Sequence, residues 1–363
     1  MMGYRRFSAY FFIILVGFTG INALIWFCWT KEITDPRRNA GDLLRIGYIL
    51  GHVSKHQNVD ELPKHHINTN QYNRQQVDMV TVGDSFSNGG GGSHYQDYIA
   101  SFQGLTVLNV PADVFLDGSD PLSTVSKLIN SGYLDIIKPK YLLLESVERL
   151  SVQRLTNYFS LQPTTTIEEV ERSFHTSRPE EKLAKNINSN VTFINNGNWK
   201  FIVNNIQYLF IEKASGSNVI ISKLNRRFFS DGQGDNLIFH DEDIKTCKLT
   251  TPDSIAETNR NLNRLGAVLK SKGITLVFMP VVNKLNLYEP YLRQHRYPKS
   301  DFFEQLRKLP KDYLFIDTKE ILARTLENNE LDIFHQDDSH WTWKASKAIF
   351  ATIRISELSH ARE

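Results

Sequence analysis

Two short strings, far apart in the chain, hold residue types that could do acyl chemistry together. The first is Val82-Gly83-Asp84-Ser85-Phe86-Ser87, directly after an apolar run. A serine becomes a useful nucleophile when a base takes its proton and backbone donors face the developing oxyanion. A strand-to-helix turn can expose both the hydroxyl and nearby N–H groups. The second string is Gln336-Asp337-Asp338-Ser339-His340-Trp341-Thr342, ahead of a helical stretch from Trp343 to Leu358. A histidine there can reach over a sheet, and a carboxylate can fix its tautomer and stabilise the imidazolium. Asp338, two residues before His340, suits an extended loop with both side chains on one face. Asp337, three before, suits a helical turn. Each string also has a plainer reading, a polar turn for the first and a helix N-terminal cap for the second. The two together favour a set of Ser85, His340 and Asp338, with Asp337 as the alternative acid.

Elements able to position such a set recur along the chain. Short apolar runs at Asp78–Val82, Leu105–Val110, Tyr141–Glu145, Ile274–Met279 and Tyr313–Ile316 alternate with helical patterns such as Ser254–Lys272. That alternation predicts an α/β domain with a mainly parallel sheet, in which sites form at the carboxyl ends of the strands. Between about residues 150 and 252 the alternation lapses, through Thr164-Thr165-Thr166 and the asparagine-rich Asn186–Asn198. A plain loop of that length is implausible in a compact domain, so an insertion with its own partial structure is expected, helical near Ile167–Phe174.

Composition bounds the function. The 363 residues are 41% hydrophobic and 23% charged, with 42 Lys+Arg against 40 Asp+Glu, which excludes wholesale disorder and a polybasic nucleic-acid binder. Two cysteines, Cys28 and Cys247, can build neither a disulfide framework nor a four-thiolate zinc site. His65, His66, His94, His240 and His335 show no metal-ligand spacing, although His335 could line the site, and neither metal nor cofactor is expected. Gly89-Gly90-Gly91-Gly92-Ser93 lacks the Gly-Lys-Ser/Thr of a phosphate loop and reads as a flexible rim beside Ser85.

The N-terminal region reads as a membrane element. Residues 1–8 form a tail, and Ala9–Trp29 is an uncharged stretch long enough to span a bilayer, with Tyr10, Trp26 and Trp29 near its ends. No small-x-small cleavage site follows Cys28, and bulky Ile25-Trp26-Phe27 argues against lipidation of that cysteine, so an uncleaved anchor is expected. Arg5 and Arg6 before the span and Lys31, Arg37 and Arg38 after it leave its orientation open. Residues 30–73 read as a polar stalk with a short helical piece at Gly41–Val53, and 74–358 as the catalytic domain.

Gly83-Asp84-Ser85-Phe86 after the first strand, with Asp-x-His near the other end, resembles the SGNH (GDSL-type) hydrolase superfamily. Asp338-Ser339-His340-Trp341-Thr342 more narrowly resembles the alginate O-acetyltransferase family of the AlgJ and AlgX kind. Leu144–Arg149, Met279–Lys284 with Tyr288, and Asn236–His240 agree with it. The resemblance implies a flavodoxin-like three-layer domain with Ser85 as nucleophile, His340 as base and Asp338 as orienting acid. Phe86, Trp341, Arg149, Lys284 and Tyr288 become oxyanion or substrate-binding candidates. It further implies a single-pass protein of the bacterial inner membrane, its domain in the periplasm, acetylating an exopolysaccharide with acetyl supplied by a multi-spanning membrane acyltransferase. An esterase of the same fold and a non-catalytic polysaccharide-binding component are the alternatives. Typical SGNH hydrolases place the acid three residues before the histidine, which keeps Asp337 open. They also take oxyanion donors from a glycine after the second strand and an asparagine after the third. Here Pro111-Ala112-Asp113 and Glu145-Ser146 stand in those regions, leaving the backbone N–H groups around Ser85.

Overall fold

Eight strands form in the computed structural model, which describes residues 2–34, 40–51, 54, 56, 60–115, 120–156, 165–176 and 193–360. Arg37, Arg38, Val53, Thr164 and the first part of the asparagine-rich stretch lie outside the described residues. The strands are β1 (Ile67–Asn68), β2 (Met79–Gly83), β3 (Val107–Pro111), β4 (Tyr141–Val147), β5 (Val219–Lys223), β6 (Asn236–His240), β7 (Thr275–Val281) and β8 (Leu314–Phe315). Six of them make a wholly parallel sheet in the order β1-β3-β2-β4-β7-β8, and β5 and β6 form a separate antiparallel pair. Every residue of β2 is buried, as a strand covered by helices on both faces requires.

The helices that position the site are α1 (Met2–Ile25), α2 (Asp42–Gly47), α3 (Tyr95–Gln103), α4 (Pro121–Asn130), α5 (Glu148–Leu155), α6 (Asn196–Tyr208), α7 (Pro252–Ser271), α8 (Lys284–Tyr288), α9 (Thr318–Glu327) and α10 (Trp343–Thr352). Helices α3, α9 and α10 pack together as one layer, and α4, α5 and α7 as another. Helix α7 shows the local logic. Thr251 and Ser254 cap its start reciprocally, Pro252 sits in its first turn, and Ile255, Leu262, Leu265 and Leu269 line its buried face. The expected α/β architecture is therefore present. Strand β1 and the hairpin β5–β6 are additions to it, and the expected helix at Ile167–Phe174 runs from Ile167 to Thr176.

The chain leaves β2 for β3 on one side and returns to β4 on the other. The carboxyl ends of β2 and β4 thus border the reversal of strand order, where open α/β sheets bind ligands. Ser85 follows β2 by two residues.

Two readings of the N-terminal region change in detail. Helix α1 includes the expected tail and continues through a π turn at Trp26–Thr30 into Lys31–Thr34. Its stretch Tyr4–Ile33 is long and apolar enough to cross a membrane. Of the expected stalk, Gly41–Ile49 does not stand free: Leu43, Leu44 and Ile49 are buried against Val219 and Ile238 of the hairpin. Each such side chain contributes about 1.5–3 kcal/mol relative to exposure.

A polar ladder under the first turn ties β2, β3 and α3 together. Asn109 Nδ2 and Gln96 Nε2 both donate to the Ser87 carbonyl at 2.9 Å, and Asn109 Oδ1 accepts from Gln96 and from Thr81 Oγ1. All four residues are buried. Asn109→Leu strips this ladder of its hub and is expected to cost about 1–3 kcal/mol. Thermal unfolding followed by circular dichroism should show a lower midpoint, and an unchanged midpoint would contradict this role.

Candidate active site

The turn after β2 is held from below by two carboxylates. Asp84 accepts from Arg154 Nη1 at 2.6 Å, from the Val147 N–H at 3.0 Å and from the Phe86 N–H at 3.3 Å. Burial raises the Asp84 pKa, but Arg154 and the backbone donors outweigh it and hold the group ionised, below its ordinary range. Glu145 receives the Asp84 N–H and the Ser87 hydroxyl, both at 2.9 Å. Complete burial, with the Asp84 charge beside it, drives the Glu145 pKa well up. The outcome is an exposed Ser85 on a rigid base. Its own N–H donates to nothing among the described residues, whereas the Ala112 N–H is taken by the Gly83 carbonyl. The Ser85 N–H is thus a backbone donor at the nucleophile with no protein acceptor among the described residues.

Across from it, His340 Nε2 lies 2.8 Å from Ser85 Oγ, and His340 Nδ1 lies 2.6 Å from Asp338 Oδ1. With Nδ1–H donating to the carboxylate, the Nε2 lone pair faces the serine hydroxyl. Burial pushes His340 down, but the hydrogen bond and charge of Asp338, aided by Asp42, win and raise it above an ordinary imidazole. Asp338, desolvated yet bonded to His340, is held well below the usual carboxylate range. Of the two candidate acids, Asp338 is the one that meets the ring. Asp337 turns the other way: its Oδ2 accepts from the Gly41 N–H at 3.0 Å and the Ser54 N–H at 3.1 Å, and its Oδ1 meets His56 Nε2 at 3.1 Å.

Those contacts show what the expected stalk does. Residues 40–51, with Ser54 and His56, form a strap over the histidine loop. Asp42 accepts from the Ser339 N–H at 2.7 Å and from the Ser339 hydroxyl, while its own N–H donates to Asp338 Oδ2 at 3.2 Å. The Leu43 and Leu44 N–H groups reach the Asp337 carbonyl. A Cβ on Gly41 would come within 2.2 Å of that carbonyl oxygen, so only glycine fits. Asp42 and His56 are thus site residues that motif reasoning passed over. The available signal was Gly41-Asp42 opening a short amphipathic pattern, which carries no chemistry by itself.

The binding candidates divide. Phe86 and Trp341 are buried, their rings 5.1 Å apart, with Phe86 also 4.7 Å from the His340 ring, so they wall the histidine from behind. Tyr288 is core, among Phe228, Phe229 and Phe334. Buried Lys284 donates to the carbonyls of His335, Gln336 and Asp338 at 2.6–3.0 Å, and burial lowers its pKa to about 8. It ties the histidine loop to the end of β7 and does not face outward as a binding group would. Arg149 alone keeps a partly exposed charged head whose field reaches His340, and its nearest carboxylates, Asp243 and Glu242, are 3.6 and 3.9 Å away.

The glycine run is a tight cover and not an open rim. The Gly90 N–H donates to the Ser85 carbonyl at 2.9 Å, and a Cβ on Gly90 would fall 2.4 Å from His340 Nε2. His335 Nε2 lies 2.7 Å from the Gly91 carbonyl, and the His335 ring stacks on His56 at 4.0 Å. Burial and the neighbouring His56 lower the His335 pKa to about 4, so it stays neutral. His66 and His94 pack together beside Asp97, and His240 sits beside Asp241 and Glu242.

Two groups bring ligand atoms within 4.8 Å of one another: His56, His335 and Asp337, and Asp42, Asp338 and His340. In the first, parallel stacked rings direct their in-plane lone pairs side by side and not toward one point, and Asp337 is already spent on three donors. In the second, every member is committed to the histidine loop. Neither has the convergent donors of a metal site.

Residues 235–355 match the family model of the SGNH hydrolase-like domain, acetyltransferase AlgX. The matched stretch contains Lys284, Asp338 and His340, and Ser85 lies outside it. A comparison with curated proteins gave no match. The resemblance to the SGNH and AlgX-like family is thus supported over the last third of the chain. It points to hydrolase- or acyltransferase-type chemistry.

Two predictions follow from the geometry. Asp338→Asn should keep the fold but donate to His340 in the wrong tautomer, reducing kcat by about 10³–10⁴-fold, whereas Asp337→Asn should chiefly loosen the strap and lower thermal stability. Equal kcat losses would mean that the two carboxylates are not so divided. Activity that needs neutral His340 should rise with pH through a pKa above that of a free imidazole. Asp42→Asn removes one negative charge near the ring and should move this acid limb to lower pH. A limb that stays in place, or moves up, would deny Asp42 that influence.

Proposed function

We propose that this protein is a membrane-anchored O-acyltransferase that acetylates an exopolysaccharide or cell-envelope glycan through an acyl-enzyme on Ser85. The observation that carries the proposal is the placement of His340 between Ser85 and Asp338 at the carboxyl ends of the central strands. In the first half-reaction Ser85 Oγ attacks the acetyl carbonyl as His340 Nε2 takes its proton. The tetrahedral intermediate collapses, and His340 returns the proton to the leaving group. In the second, His340 deprotonates a sugar hydroxyl, which attacks the acetyl-serine ester and regenerates Ser85. The Ser85 N–H would stabilise the oxyanion in both steps, with the charge of Arg149 contributing. Asp338 holds the ring and the imidazolium throughout.

The acceptor class rests on the openness of the site. Ser85 is exposed at the surface, so a polymer chain can approach it without threading a closed pocket. The N-terminal helix would keep the domain at a membrane, and by analogy with AlgX-type proteins the domain would face the periplasm. There it would meet an exported glycan and receive acetyl groups from a multi-spanning membrane acyltransferase.

Incubation of the full chain with an activated acetyl ester should add one acetyl mass, mapped to Ser85 and missing from Ser85→Ala. Adding an oligosaccharide should discharge the adduct into acetylated sugar faster than water hydrolyses it. An adduct persisting in Ser85→Ala would remove the nucleophile from the mechanism. Discharge to acetate alone across several glycans would make the enzyme an esterase.

A further inference from the structure

Helix α6 is built inside out. Its inward face carries Asn198, Phe201, Asn204 and Asn205, and its asparagines bond to the rest of the protein. Asn204 Nδ2 donates to the Gly47 carbonyl and Asn205 Nδ2 to the Tyr48 carbonyl, both at 2.8 Å. Its outward side and the turn after it carry large exposed apolar side chains, with Asn196 and Lys200 as the exposed polar residues of the helix. Trp199 is 69% exposed, Ile206 54%, Leu209 78% and Phe210 82%, with Phe193 also exposed just ahead of the helix. Trp199 and Ile206 stand seven residues apart, which places them along one side of the helix, and Leu209 and Phe210 continue the exposed apolar surface in the turn after it. A water-facing helix would carry the opposite pattern.

The position of this face relative to the anchor says what covers it. Asn198 Nδ2 donates to Asn22 Oδ1 at 3.0 Å, Thr30 Oγ1 donates to Asn198 Oδ1 at 2.5 Å, and Trp29 stacks on Phe201 with centroids 5.7 Å apart. Helix α6 therefore grips α1 between Asn22 and Thr30. Along α1, side chains from Phe7 to Ile21 are mostly exposed and apolar, and Ile25 and Trp26 become buried. At about 1.5 Å per residue, Phe7 to Asn22 covers about 23 Å of a hydrocarbon core roughly 30 Å thick. The far edge of that core then falls about one turn beyond Asn22, beside Trp26 and Trp29, the residue type favoured at membrane–water boundaries. Helix α6 meets the anchor at that same level. Lys31 and Lys200 stand nearby, where their charged heads can reach headgroups.

We infer that the outer face of α6, with Phe193 before it and Leu209 and Phe210 after it, is a second membrane-contact element that lies in the lipid interface beside the anchor. The inference rests on the reading of α1 as a membrane span. A single helix leaves a domain free to swivel, whereas a helix in the interface sets its orientation. Because α6 also bonds to Gly47 and Tyr48 at the end of α2, the membrane contact continues into the strap that holds the Ser339 and Asp337 loop.

The test uses the full chain with Cys28→Ser and Cys247→Ser, reconstituted in vesicles of phosphatidylethanolamine and phosphatidylglycerol. Single nitroxide labels are placed by Leu209→Cys, by Phe12→Cys in the anchor, and by Glu327→Cys at an exposed helix end far from α1 in the chain. Collisions with oxygen, which partitions into lipid, are compared with collisions with a water-soluble nickel chelate. The expected result is a higher oxygen-to-nickel ratio at Leu209 than at Glu327, and a lower one than at Phe12. A Leu209 label as open to nickel as Glu327, with Phe12 still protected, would overturn the inference and leave the anchor standing. A Leu209 label shielded from both reagents would overturn it in favour of a protein contact. A nickel-accessible Phe12 would remove the anchor and the inference with it.

Discussion

The short contact between His340 Nε2 and Ser85 Oγ joins residues 255 positions apart, and much of the structure around the site serves to hold that distance. A serine turn and a histidine loop have no covalent reason to stay in register. Each is therefore fixed from several directions. Below Ser85, the ionised Asp84 with Arg154, together with Glu145, locks the turn to β4. Around His340, Lys284 gathers three loop carbonyls, Phe86 and Trp341 close the rear, and Gly90 comes in over the ring. The strap adds the last constraint through its contacts with Asp337 and through Asp42. This is preorganisation in a physical sense, since the groups that would orient the reacting atoms are themselves hydrogen-bonded or packed.

The strap also places the N-terminal helix and the histidine loop within one chain of contacts. From Asn22 in α1 and Thr30 in the π turn after it the contacts pass to Asn198, then from Asn204 and Asn205 to Gly47 and Tyr48, and from α2 to Ser339. A segment that composition marks only as a polar stalk is thus packed on the histidine loop, with Leu43, Leu44 and Ile49 buried.

Much of this was legible in the chain because its signals are local. Strands such as Tyr141–Val147 announce themselves as apolar runs, and Ser85 and His340 stand in short strings directly after a strand and before a helix. The choice between Asp338 and Asp337 was not legible, since spacing permits both, and it is the backbone turn that sends Asp337 toward Gly41 and His56. Lys284, Trp341 and Tyr288 fall in strings that agree with the family likeness, and such strings do not distinguish a residue that faces substrate from one that supports the loop. The strap escaped for a related reason: Asp42 acts through Ser339, nearly three hundred residues away, and no periodicity records a contact of that range.

The most direct test of the account is a crystal structure of the protein after reaction with an alkyl phosphonate ester, whose adduct copies the tetrahedral intermediate. The account predicts phosphorus bonded to Ser85 Oγ, its phosphoryl oxygen accepting from the Ser85 N–H, and His340 Nε2 within hydrogen-bond reach of the ester oxygen, with Asp338 still on Nδ1. A phosphonate attached to another residue, or one on Ser85 whose phosphoryl oxygen points to solvent while His340 has swung away, would contradict it.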